Sequence, residues 1–173
     1  MKRWLLTILT LLLLTLPAHA AEGGVRVAVI DTGISTAAIS PDSIGEGVNY
    51  IRPQDSTGDK LGHGTAVSAI IVGSEAARIE GICPTAELVP LVTASKDETG
   101  EQVRGDTAMV AQAIYDAIDV YGCKLINISS GSTGGSSRLK EAVEYAEKKG
   151  VLVISCAGNG QESSPGAIYY PGG

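Results

Sequence analysis

The sequence predicts an α/β domain, a parallel β-sheet with helices on both faces, and three observations carry that prediction. From Val25 onward, apolar runs of strand length alternate with stretches of helical periodicity, the pattern of parallel strands joined by crossover helices. Val25–Asp31 (VRVAVID) and Val151–Ala157 (VLVISCA) are apolar almost throughout, as strands covered on both faces must be. Gly122 and Gly150 directly follow the two most amphipathic stretches, where a left-handed residue ends a helix.

Taken in order, Val25–Asp31 is the first strand. The stretch Leu61–Gly73 (LGHGTAVSAIIVG) places a helix over Gly62–Gly73 with His63 at its start; Ala66, Val67, Ala69, Ile70, Ile71 and Val72 leave it almost no polar face, so it is expected to be buried on all sides. Ala86–Val92 (AELVPLV) is the second strand, although Pro90 interrupts it with a missing N–H. Thr107–Tyr121 is a helix with Val110, Ala113, Ile114, Ala117, Ile118 and Tyr121 on one stripe, Gln112, Asp116 and Asp119 on the other, and Asp106 as its cap. Lys124–Ser130 (KLINISS) is the third strand. Ser137–Lys149 is the third helix, turning Leu139, Ala142, Val143 and Ala146 inward and pairing Glu144 with Lys148 on its solvated face. Val151–Ala157 is the fourth strand, and Gly33–Lys60, Thr93–Gly105 and Gln161–Gly173 read as irregular.

Ahead of the domain, Lys2 and Arg3 precede an apolar run from Trp4 to Leu16 that ends in Pro17 and Ala18-His19-Ala20. The run is short for a bilayer span of roughly 20 residues and has the layout of a secretory signal peptide cleaved after Ala20. Residues 1–20 are therefore expected to be a leader and residues 21–173 a single domain, exported and not held in a membrane after cleavage. With 13 basic against 19 acidic residues and a formal charge of −6, which becomes more negative once Lys2 and Arg3 are removed, nucleic acid is not an expected partner. Cys83, Cys123 and Cys156 allow one internal disulfide at most and match no metal spacing; Cys123 and Cys156 border apolar strands and read as small buried residues.

The chemically useful residues fall at strand ends. Asp31 closes the first strand, Ser129-Ser130-Gly131 the third, and Gly158-Asn159-Gly160 follows the fourth. In a parallel sheet these groups emerge on one carboxyl edge, where open α/β sheets bind ligands. A carboxylate, a histidine at a helix start and an amide side chain can supply an orienting acid, a general base and an oxyanion donor, a set suited to acyl transfer.

VAVIDTGI around Asp31, GHGTAVSAI around His63, GICPTAELV at 81–89, INISSG, ISCAGNG around Asn159 and the closing YYPGG together resemble the subtilisin-like serine proteases, the subtilases. The resemblance implies that Asp31 is the triad carboxylate, His63 the general base and Asn159 the oxyanion donor. It implies that Ser129, Ser130 and Gly131 wall the pocket for the substrate side chain, and that the substrate is a polypeptide. No Gly-Thr-Ser, which carries the nucleophile in that family, occurs in the sequence. Ser129, Ser136 and Ser163 do not match it, so the resemblance implies a catalytic domain incomplete at its C-terminus, inactive as it stands, with the missing C-terminal portion as its implied partner.

No cofactor is expected and no metal residue is assigned. Calcium is an open option, but the segment 73–80 (GSEAARIE) lacks the family's calcium loop, and Asp42, Asp55 and Asp59 read as solvated loop acids. Arg104-Gly105-Asp106 reads as a turn and a helix cap, and the sequon at Asn127 lies within a central strand. Two other readings compete. Hydrophobic-hydrophobic-Asp-Thr-Gly is also an aspartic-protease signature, but those enzymes are nearly all β, and no second Asp-Thr-Gly exists here. A non-catalytic peptide-binding or complementing fragment would account for the absent serine.

Overall fold

The computed structural model describes residues 24–158 and 170–172. The leader and Asn159 lie outside the described residues, as does the stretch from 160 to 169 with Ser163 in it.

Among the described residues seven strands and three α-helices follow one another as β1 (Arg26–Asp31), β2 (Val48–Asn49), α1 (His63–Val72), β3 (Glu87–Val92), β4 (Ala94–Lys96), β5 (Gln102–Arg104), α2 (Thr107–Asp119), β6 (Leu125–Ile128), α3 (Ser137–Lys148) and β7 (Leu152–Ser155). Five of the strands form one sheet in the order β2-β3-β1-β6-β7 with every pairing parallel. The four strands and three helices expected from the sequence are all present, each shortened by a residue or more. Two of the three stretches read as irregular hold more structure than expected: β2 joins the sheet edge from one, and β4 and β5 form an antiparallel hairpin in the other.

Helices cover both faces. On one, α2 and α3 pack Ala113, Ile114, Ala117, Leu139, Ala142 and Ala146 against Ala28, Ile30, Val89, Leu91, Ile126 and Ile128. On the other, Ala69 and Val72 of α1 meet Val27, Val29 and Leu88. The expectation that α1 is buried on all sides fails. Gly64, Ser68, Ala69 and Val72 are buried, but Ile70 is 57% exposed, because α1 lies against the sheet through one stripe with nothing described over its back.

Pro90 is accommodated by the alternation of β3. Glu87 and Thr93 donate their N–H groups toward β1, so the nitrogen of Pro90 faces the other side. There it falls between the isolated Ile44–Leu88 bridge and the start of β2 opposite Leu91, a gap in which no ladder bond is forfeited. Tyr50, the residue after β2, donates its hydroxyl to Asp116 of α2 at 2.7 Å; burial, then that carboxylate, hold the phenol well above its ordinary range.

Asp106 caps α2 by accepting from Met109 N at 2.8 Å, and Ser136 caps α3. Glu144 pairs with Lys140 at 3.9 Å on exposed α3, in place of the expected Lys148. All three cysteines are free thiols. Cys123 is buried, and burial pushes its thiol up to about 11; Cys156 is only half-buried, contrary to expectation.

Candidate functional site

The site begins where β1 ends. Asp31 is the last residue of β1 and its side chain is 2% exposed, yet each of its oxygens has a polar partner. His63 Nδ1 lies 2.8 Å from Oδ1 and 2.9 Å from Oδ2, and Thr32 N donates to Oδ1 at 2.8 Å. The His63 side chain is 56% exposed. One edge of the ring is therefore held by a buried carboxylate while the rest of it faces outward.

Close backbone contact brings the strand end and the helix start together. A Cβ on Gly64 would stand 2.3 Å from Gly33 O, and one on Gly33, where φ is +108°, 2.4 Å from Thr57 O. Neither position tolerates a side chain, since the obstacle is backbone. Gly64 N donates to Thr32 Oγ1 at 2.8 Å, and Ile34 N to Thr57 O at 3.0 Å. Thr32 thus couples the two halves of the pair, its hydroxyl accepting a hydrogen bond from Gly64 N just after His63 while its own N–H donates one to Asp31.

Asp59 shows a second cluster that sequence reasoning missed. Its Oδ1 accepts from Leu61 N and Gly62 N, both at 2.8 Å, and its Oδ2 from Thr65 N at 2.9 Å and Thr65 Oγ1 at 2.6 Å. Burial raises its pKa, but the bonds from Thr65, Gly62 and Leu61 outweigh that and leave it below the usual carboxylate value. It is therefore no solvated loop acid. The available signal was its position three residues ahead of Gly62, an N-cap with no side chain. Asp55, the second acid weighed for calcium, is engaged by Lys60 at 2.8 Å and Arg52 at 2.9 Å. Among the described residues no three His, Cys, Asp or Glu side chains gather as a metal site.

The third strand end lies alongside. Val27 pairs with Leu125 and Val29 with Asn127; carrying that register two residues further sets Ser129 level with Asp31. Ser129 is half-buried, and its Oγ accepts from Asn127 Nδ2 at 2.8 Å, so the sequon asparagine is spent within the fold. Ser130 and Gly131 line a cavity of about 500 Å³ together with Gly105, Val110, Leu139 and Tyr170. Ser129 does not line that cavity. Tyr170 reaches its rim through an antiparallel bridge to Ser132, with N···O distances of 2.9 and 3.1 Å. The structure thus joins Asp31 and His63 directly and places Ser129–Gly131 on the same sheet edge, while Asn159 lies outside the described residues.

The profile of the subtilase family matches residues 22–173. Subtilisin Savinase of Lederbergia lenta is 37% identical over 150 residues, which are 86% of this chain and 51% of that protein. Thermitase of Thermoactinomyces vulgaris is 34% identical over 156 residues, 87% of this chain and 53% of that protein. A solved structure described as the S41 psychrophilic protease superposes with a TM-score of 0.68 at 31% identity, covering 86% of this chain and 50% of that one. The chain spans about half the length of these relatives.

Proposed function

Since this chain belongs to the subtilase family, we propose that it carries two members of a serine endopeptidase triad, Asp31 and His63, and that the reaction it serves is hydrolysis of polypeptides. The observation that carries the reading is the bond of His63 Nδ1 to the buried carboxylate of Asp31. That bond places the proton on Nδ1 and leaves Nε2 as the acceptor for a serine proton, the arrangement by which a carboxylate orients a general base and stabilises the imidazolium formed. Asn159 would donate its amide to the oxyanion. The Ser129–Gly131 segment would flank the substrate, with Ser130 and Gly131 shaping the cavity beside Gly105. The α/β architecture removes the aspartic-protease alternative.

The alternative reading is a peptide-binding or complementing fragment. The test is to express the complete reading frame that encodes this chain and assay cleavage of an unfolded polypeptide. A serine endopeptidase should lose activity by about 10⁶-fold in His63→Ala, a figure that comes from subtilisin itself. A full-length product that contains no Gly-Thr-Ser and cleaves nothing, yet binds peptides, establishes the alternative reading. Export is part of the proposal and rests on the Met1–Ala20 pattern; among the described residues no helix is long and apolar enough to cross a membrane.

A further inference from the structure

We propose that Asp59 is the positioning residue of this site: its carboxylate clamps the chain on either side of His63 and thereby sets the imidazole against Asp31. The inference rests on the roles just proposed for Asp31 and His63.

The clamp has two arms. Oδ1 takes the N–H groups of Leu61 and Gly62, immediately before His63, and Oδ2 takes the N–H and hydroxyl of Thr65, just after it. An α-helix leaves its first N–H groups without internal partners, and an N-cap side chain normally answers one of them. The N-cap here is Gly62, which has no side chain to offer, so Asp59 serves from three residues upstream. Its reach extends past the helix. Thr65 Oγ1, while donating to Asp59, accepts from Ser35 N at 3.1 Å, and Ser35 lies four residues beyond Asp31. The carboxylate is thus connected through hydrogen bonds to the segment that leaves β1, so one side chain ties the histidine's turn to the aspartate's strand. Only a carboxylate suits the position, because all four partners are donors and the isosteric amide would have to turn its NH₂ toward one pair of them.

The experiment uses the full chain with His19→Gln, which leaves His63 as its single imidazole, and ¹⁵N-labelled histidine. It reads the exchange rate of the His63 Nδ1–H proton and the ring nitrogen shifts by NMR. Asp59→Asn should speed exchange by about tenfold or more, the effect of losing roughly one net hydrogen bond. Thr65→Val, which removes only the hydroxyl link, should move it in the same direction by less. Asp106→Ala, which uncaps α2 and lowers thermal stability, should leave it unchanged. If Asp59→Asn lowers stability as Asp106→Ala does but leaves the His63 signal where it was, Asp59 is only a helix cap and the proposal is overturned. An unmoved signal in a folded Thr65→Val likewise overturns it, should Asp59→Asn fail to fold. Absence of any protected Nδ1–H in the parent overturns the Asp31–His63 pairing and this inference together, whereas a protected proton with no peptidase in the complete reading frame overturns only the enzymatic reading.

Discussion

Asp31 and Asp59 are both aspartates beside α1, but they hold different things. Asp31 faces a ring and one backbone N–H from a buried strand end; Asp59 faces four donors of a single turn. The lowered pKa of Asp59 fixes the sign of a pH effect. Because the unfolded chain takes up the proton more readily than the folded one, the stabilisation is fully present above about pH 4, the ordinary aspartate value, and is lost as pH falls through the lower folded value. The urea midpoint of the parent should therefore drop on acidification from about pH 5 to about pH 3. Asp59→Asn, weaker at neutral pH, should drop less over the same range; parallel curves would show that Asp59 does not titrate with unfolding. At this scale the sequence made Asp31 and His63 legible because the chemistry of each is visible in its type and place. Asp59 was not legible, since an aspartate in a loop looks the same whether water or four backbone and side-chain donors surround it.

At the scale of elements, periodicity located the strands and helices that bury apolar surface and passed over those that do not. The strands β4 and β5 are three residues each, ASK and QVR, too short and polar to show a period of two. Their turn was nevertheless written in the sequence: Asp97 Oδ1 accepts from Thr99 N, Thr99 Oγ1 and Glu101 N, and Gly100 takes φ +88°. The excursion after α1 is tighter still. Ser74 and Ile79 exchange backbone bonds at 2.8 and 2.9 Å, and Arg78 sits between them at φ +55°, a positive value for a residue other than glycine. Such a conformation costs about 1–2 kcal/mol in an L-residue, part of which glycine returns through its looser unfolded state. Arg78→Gly should raise stability by about 0.5–1 kcal/mol, read as an upward shift of the thermal midpoint; a fall would mean that the Arg78 side chain does more than its exposure suggests.

Across the whole molecule, the two faces of the sheet differ in how far their cover extends. On the α2 and α3 face, burial is continuous from Leu91 to Ile128. On the α1 face it fades across the sheet: Leu88 is 0% exposed, Val27 4%, Leu125 half-buried and Leu152 58%, with Ile154 at 46% in the next row. The described residues hold nothing over those last two side chains. Leu152→Lys with Ile154→Lys should therefore shift the thermal midpoint little, since substitutions at exposed positions usually cost within about 0.5 kcal/mol, and should reduce self-association in light scattering. A large loss of stability would show that residues outside the described set already cover this strip. The sequence showed VLVISCA as a strand but not that, among the described residues, one of its faces is left uncovered, because cover depends on which helix crosses over which strand.

The outer edges of the sheet also differ in length. β2 is two residues long and ends one side bluntly, whereas β7 offers four residues with no strand beyond them among those described. Two copies meeting there about a two-fold axis would have to pair antiparallel, inserting the one antiparallel joint into a ten-stranded sheet that is otherwise parallel. With a blunt β2 at each far end, such an assembly would close at two.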